Sequence, residues 1–130
     1  MIAKALPNTR QSKYCDRVKN VLKFKCHATN SEILSELNKT FPKLSATTVH
    51  RITSRLASRN EIGIAPADKN GAMRYDANLM PHDHFRCSGC DLLRDVDIRE
   101  KIVPLFESSI GNCQISGRLT ISGLCKDCIK

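Results

Sequence analysis

The sequence predicts an α+β chain in two parts: an N-terminal winged helix-turn-helix domain, then a small α/β domain stapled through cysteines. Three stretches of helical period followed by a β-hairpin give the element order of a winged helix. Two CxxC pairs, Cys87 with Cys90 and Cys125 with Cys128, have 34 residues between them. Two such knuckles fold onto one tetrahedral zinc, because each turn presents two thiolates and four complete the shell. Charge divides the chain as well. Residues 1–59 hold 12 Lys and Arg against 3 Asp and Glu, residues 60–130 hold 9 against 10, and the net charge over 130 residues is +8. A basic first half suits a polyanion, of which nucleic acid is the common one.

Residues 1 to 10, with Pro7, Asn8 and Thr9, read as a short arm that becomes helical near Arg10. From Gln11 to Phe24, Tyr14, Val18, Val21 and Leu22 recur at helical spacing and form the first helix. The run CHATNSE breaks the pattern, and Thr29 with Glu32 three residues later reads as a capping box. Ile33, Leu34 and Leu37 then give the second helix its buried stripe. After FPKL, Ser45 caps a third helix whose core face is Val49, Ile52 and Leu56 and whose opposite face carries Thr47, Thr48, Arg51 and Arg55. Ile62 and Ile64 alternate, DKNG at 68–71 supplies Asn and Gly for positive backbone angles, and AMRYD returns as the second strand of the hairpin.

The domain boundaries fall at 1–77 for the winged helix, 78–81 for a hinge and 82–130 for the second domain. In the latter, HFRC and LLRDV read as strands around the first knuckle. Ile98, Ile102, Leu105 and Phe106 mark a helix over 98–110 that Pro104 should begin or kink. CQISGRLTIS alternates as a final strand before the second knuckle. A unit of about 50 residues needs such a staple to be stable.

Within HDHFRCSGC, residues two apart share a strand face and residues three apart do not, so His82 and His84 face away from Cys87. With Cys87 to Cys90 as a hairpin tip, His82 comes opposite Asp95, and two imidazoles and a carboxylate converge on a second site. Asp83, on the other face, reads as a solvent-facing or capping residue. The remaining cysteines, Cys15, Cys26 and Cys113, read as small buried apolar residues. An odd cysteine count, metal spacing and no signal peptide indicate a reducing cytoplasm. No apolar run approaches the roughly 20 residues that span a membrane. No nucleophile is paired with a base, so neither catalysis nor a small-molecule substrate is expected.

With the third helix SATTVHRITSRL, a wing ending in MRYD, and HDHFRCSGC answered by CKDC, the chain resembles the ferric uptake regulator family of metal-dependent bacterial repressors from about Thr9 to Cys128. The resemblance implies a second domain through which two chains pair, and a homodimer that binds a palindromic operator in double-stranded DNA. It puts structural Zn(II) on Cys87, Cys90, Cys125 and Cys128. It puts a regulatory Fe(II) or Mn(II) on His27, in the loop before the second helix, with Asp76, His82, His84 and Asp95. It implies DNA contacts from Ser45, Thr47, Thr48, His50, Arg51 and Arg55 in the major groove, with Lys69 and Arg74 of the wing near phosphates. Aspartate at both 76 and 95 resembles the peroxide-sensing branch, and iron-sensing members more often carry glutamate there. The chain departs from the family pattern at His50, usually tyrosine, at Asp91, usually glycine, and at Ser116 and Gly117, where many relatives place a histidine of a further metal site.

Other readings fit parts of the same sequence. An iron-sensing regulator without a peroxide response is the alternative within the same family. A zinc-ribbon interaction module explains the cysteines alone and predicts one metal per chain with no metal effect on DNA binding. An iron-thiolate electron carrier leaves the basic helix unexplained.

Overall fold

The computed structural model describes residues 10 to 129, so the expected arm over residues 1 to 9 lies outside the described part. The chain divides between Leu79 and Met80 into two compact units.

The first unit is built from α1 (Arg10–Lys25), β1 (His27–Thr29), α2 (Asn30–Leu37), α3 (Ala46–Ser58), β2 (Gly63–Ala65) and β3 (Arg74–Asp76). The apolar stripes read from helical spacing meet in its core. Val18, Leu22, Ile33, Val49, Ile52 and Leu56 are all at most 1% exposed, with Ala28, Ile62 and Tyr75 beside them. Cys26 ends α1 in the left-handed conformation at φ 70°, its N–H on Leu22 O, and so turns the chain into β1. The segment expected to be a loop is therefore partly a strand. β1 pairs with β3, which also pairs with β2, in a three-stranded antiparallel sheet ordered β1-β3-β2.

Local chemistry sets the angle of α3. The Thr29 hydroxyl accepts from Glu32 N at 3.1 Å while the Glu32 carboxylate accepts from Thr29 N at 2.8 Å, which completes the capping box of α2. Asn38 donates to Phe41 O and Leu44 O at 3.0 and 3.2 Å and so ties the α2–α3 turn. Ser45 caps α3, its hydroxyl accepting from Thr48 N. In the wing, Asp68 Oδ1 accepts from Asn70 N and Ala72 N, and only Gly71 of the expected pair takes a positive φ, 85°.

The second unit holds β4 (Asp83–Cys87), β5 (Leu93–Val96), α4 (Arg99–Ser109) and β6 (Thr120–Gly123). β4 is central, antiparallel to β5 and parallel to β6. The expected final strand shrinks to Thr120–Gly123, because a parallel partner for β4 must cross over and residues 113–119 serve in that crossing. α4 runs through Pro104. The carbonyl deprived of its i+4 donor belongs to exposed Glu100, where solvent meets it, so the helix persists. None of the α4 side chains is buried, and Leu105 and Phe106 are 65% and 45% exposed. No helix among the described residues is long and apolar enough to cross a membrane.

Leu22, fully buried in the core of the first unit, is the position where truncation should be felt most. Leu22→Ala should destabilise this unit by about 2–5 kcal/mol, read as a lowered urea midpoint with an unchanged slope.

Candidate metal centres and DNA-facing helix

The four knuckle sulfurs of the second unit, from Cys87, Cys90, Cys125 and Cys128, all lie within 4.8 Å of one another. Zinc–sulfur bonds of about 2.3 Å in a tetrahedron give sulfur–sulfur edges near 3.8 Å, and Cys90 Sγ stands 3.7 Å from Cys125 Sγ. The sheet delivers this geometry. Cys87 ends β4 opposite Gly123 of parallel β6, and Cys125 follows two residues later. A Cβ on Gly89 would lie 3.0 Å from Cys128 Sγ, so glycine lets the two knuckles close.

The thiols carry the electrostatic mark of a cation site. The N–H groups of Cys90 and Cys125 point at Cys87 Sγ and lower its pKa to about 6. Contact with the thiols of Cys125, Cys87 and Cys90 pushes Cys128 up to about 12. The cluster thus accepts one negative charge readily and resists more, a penalty that a divalent cation removes. The donor set fits Zn(II).

On the opposite side of the β4 pleat, His84 is 1% exposed and stands directly across from Asp95. The expected partner was His82. The turn is longer than a tip at Cys87–Cys90, because Cys87 N closes on Leu92 O and Asp91 takes φ 69°, which moves the register by two residues. Asp91 thereby adopts the backbone that a glycine would favour. His82, just before β4, still reaches the same carboxylate: His82 Nε2 and His84 Nε2 each lie 3.3 Å from Asp95 Oδ1.

His82 Nδ1 meets Met80 O at 2.6 Å. A carbonyl only accepts, so Nδ1 carries the proton and Nε2 is the ring nitrogen that faces the Asp95 carboxylate. Donation from the far ring nitrogen to a carbonyl is what orients metal-binding imidazoles.

In the first unit, His27 and Asp76 face each other across the β1–β3 ladder, with Nε2 3.5 Å from Oδ2. Asp76 is 1% exposed, and its other oxygen accepts from Asn78 N at 2.8 Å. Nitrogen and oxygen donors in both units suit Fe(II) or Mn(II).

The outer face of α3 exposes Thr47, His50, Arg51 and Arg55, with Thr48 half-buried, and Lys69 is exposed on the wing. Ser45 is exposed, and its hydroxyl is engaged in the cap. Arg74, expected on the wing near phosphates, is instead buried, 7% exposed, because β3 is the central strand of its sheet. Cys26 and Cys113 are exposed instead of buried, Cys26 at the bend after α1 and Cys113 just past the turn that follows α4, while Cys15 is half-buried against the core.

Sequence reasoning missed the role of Asp83. It is 1% exposed and accepts from Leu119 N at 2.8 Å and from Arg99 Nη2 at 3.1 Å, and Arg99 Nη2 also donates to Gly117 O. The signal was present as an acidic residue between two histidines on the covered side of a strand. Burial works to raise the Asp83 pKa, but the Leu119 N–H and the Arg99 guanidinium outweigh it and hold the carboxyl below its usual range. A depressed folded pKa contributes stability above the unfolded value of about 3.9 and loses it as pH falls through the folded value. Asp83→Asn should therefore cost about 1–2 kcal/mol at pH 7, with Arg99's partial exposure trimming the gain. The gap to wild type should close below about pH 4 in denaturant titrations.

A sequence model of the ferric uptake regulator family matches residues 9–111. No curated protein matches the chain by sequence. Among solved structures, the Francisella tularensis ferric uptake regulator with iron superimposes with TM-score 0.72 at 19% identity, covering 100% of this chain and 99% of that one. The Helicobacter pylori ferric uptake regulator, described with three functional metal-binding sites, gives TM-score 0.72 at 23% identity over 93% of this chain and 85% of its own. The Campylobacter jejuni peroxide stress regulator gives 0.70 at 22% identity, covering 92% and 91%. At these identities the likeness shows the fold.

Proposed function

This chain belongs to the ferric uptake regulator family, and we propose that it is a cytoplasmic, homodimeric repressor whose hold on a palindromic operator depends on Fe(II) or Mn(II). As a member of that family it is a metal-sensing, DNA-binding transcription regulator and not an enzyme. The observation that carries the finer reading is the pairing of nitrogen and oxygen donors in each unit: His27 with Asp76 in one, His82 and His84 with Asp95 in the other.

All five residues would share one regulatory ion. Sharing it ties the DNA-binding unit to the pairing unit and so sets the separation of the two α3 helices in a dimer, which a palindrome reads. Metal and DNA then favour the same closed state and strengthen each other's binding. Cys87, Cys90, Cys125 and Cys128 would hold Zn(II) as the staple of the pairing unit. Pairing would use the apolar surface that this unit leaves exposed, including Leu105, Phe106, Ile110 and Ile121. Thr47, Thr48, His50, Arg51 and Arg55 would enter the major groove, with Ser45 fixing the start of the helix and Lys69 on the backbone.

Aspartate at both 76 and 95 supports the peroxide-sensing form. Fe(II) bound there would supply a peroxide-reactive centre beside the histidines, which Mn(II) would not. His27, His82 and His84 would be the residues placed to take the oxidation.

Two metals per chain, one removed by mild chelation, with retention of operator DNA restored only by Mn(II) or Fe(II) under anaerobic conditions, is the expected result. Loss of binding after peroxide with Fe(II) but not Mn(II) selects the peroxide sensor, and survival with both selects the iron sensor. One tightly held zinc and DNA binding indifferent to added metal would overturn the reading.

A further inference from the structure

The recognition helix carries a polar relay. Thr53, fully buried on α3, has its hydroxyl 2.8 Å from Asn30 Oδ1, 3.1 Å from Val49 O and 3.2 Å from His50 O, and the shortest of these contacts is the one to Asn30. Asn30 opens α2, so this bond crosses between the two helices. An amide whose oxygen is held in this way presents its NH2 on the other branch, and that nitrogen stands 3.3 Å from His50 Nδ1. With the amide so oriented its nitrogen donates and Nδ1 accepts. A neutral His50 then carries its proton on Nε2.

His50 is exposed on α3, one turn after Thr47 and beside Arg51. An unrestrained histidine would present either nitrogen by rotating its ring. The relay occupies Nδ1, and Nε2–H has no partner among the described residues. Ordering the side chain before DNA arrives lowers the entropy lost on binding.

We propose that His50 is a specificity-determining residue that donates from Nε2 to an acceptor on a major-groove base edge, with Asn30 and Thr53 as its positioning residues; this rests on the DNA-binding reading above. In the major groove guanine offers two acceptors, N7 and O6, adenine offers N7 and thymine O4, whereas cytosine offers only its N4 donor. The contacted position should therefore exclude cytosine and favour guanine. Arg51 and Arg55 add charge to the same face, but no relay of this kind restricts which atom they present.

The full-length protein with Mn(II) is to be selected against a library of random-sequence duplexes and the bound pool sequenced. Wild type should discriminate against cytosine at one position per half-site by about tenfold. His50→Ala and Asn30→Ala should each flatten that position and spare the others. His50→Gln, which keeps a side-chain donor, should retain part of the preference. Should Asn30→Ala fail to fold, Thr53→Val removes the donor that orients the amide while keeping the side-chain shape, and should flatten the same position. A profile unchanged in these variants, or flattened evenly at every position, overturns the proposal. A wild type that enriches no sequence overturns the DNA-binding reading itself and this proposal with it, whereas selection that survives His50→Ala overturns the proposal alone.

Discussion

The pleat of β4 is the constraint on which both proposed metal centres of the second unit depend. Five residues, Asp83 to Cys87, form the middle strand of a three-stranded sheet. Alternation turns His84 toward Asp95 on β5, and three residues later Cys87 toward the knuckle that follows β6. Asp83, between the histidines, is held from the covered side by Arg99 and Leu119 N–H. A one-residue slip of β4 would exchange its faces and dismantle the thiolate cluster and the imidazole pair together. The parallel pairing with β6 and the buried Asp83 bonds guard against that slip.

The two kinds of centre differ in what they contribute. The thiol cluster is a staple: packed sulfurs resist a second negative charge, so the folded knuckle and a divalent cation stabilise each other. The imidazole and carboxylate groups are poised differently. His82 is oriented by the Met80 carbonyl, and His27 is set against Asp76 by strand register. Each unit thus carries a preformed donor group, and in the proposed regulator an ion that engaged both would link the units.

Periodicity made the helices and the winged-helix core legible, because Val18, Leu22, Ile33, Val49, Ile52 and Leu56 are buried as their spacing requires. The cysteine pairs were legible from spacing alone. Register was not. It hung on whether the knuckle turn closed at Cys90 or at Leu92, and Asp91 in a left-handed conformation gave no compositional warning. β1 escaped notice because three residues are too few for alternation to register against the adjacent capping box. Arg74 looked like a wing contact because a charged residue beside a turn is usually solvated; the central position of β3 buries it. Asp83 looked exposed because its partners, Arg99 and Leu119, lie 16 and 36 residues away.

In the proposed regulator one ion would take ligands from both units. Mn(II) affinity should be measured by calorimetry for the zinc-loaded wild type, for Asp76→Ala in the first unit and for Asp95→Ala in the second. The account predicts that each substitution weakens Mn(II) by at least about tenfold, while zinc content and dimer mass stay unchanged. Full Mn(II) affinity in Asp76→Ala, with loss only in Asp95→Ala, would confine the ion to the second unit and contradict the account.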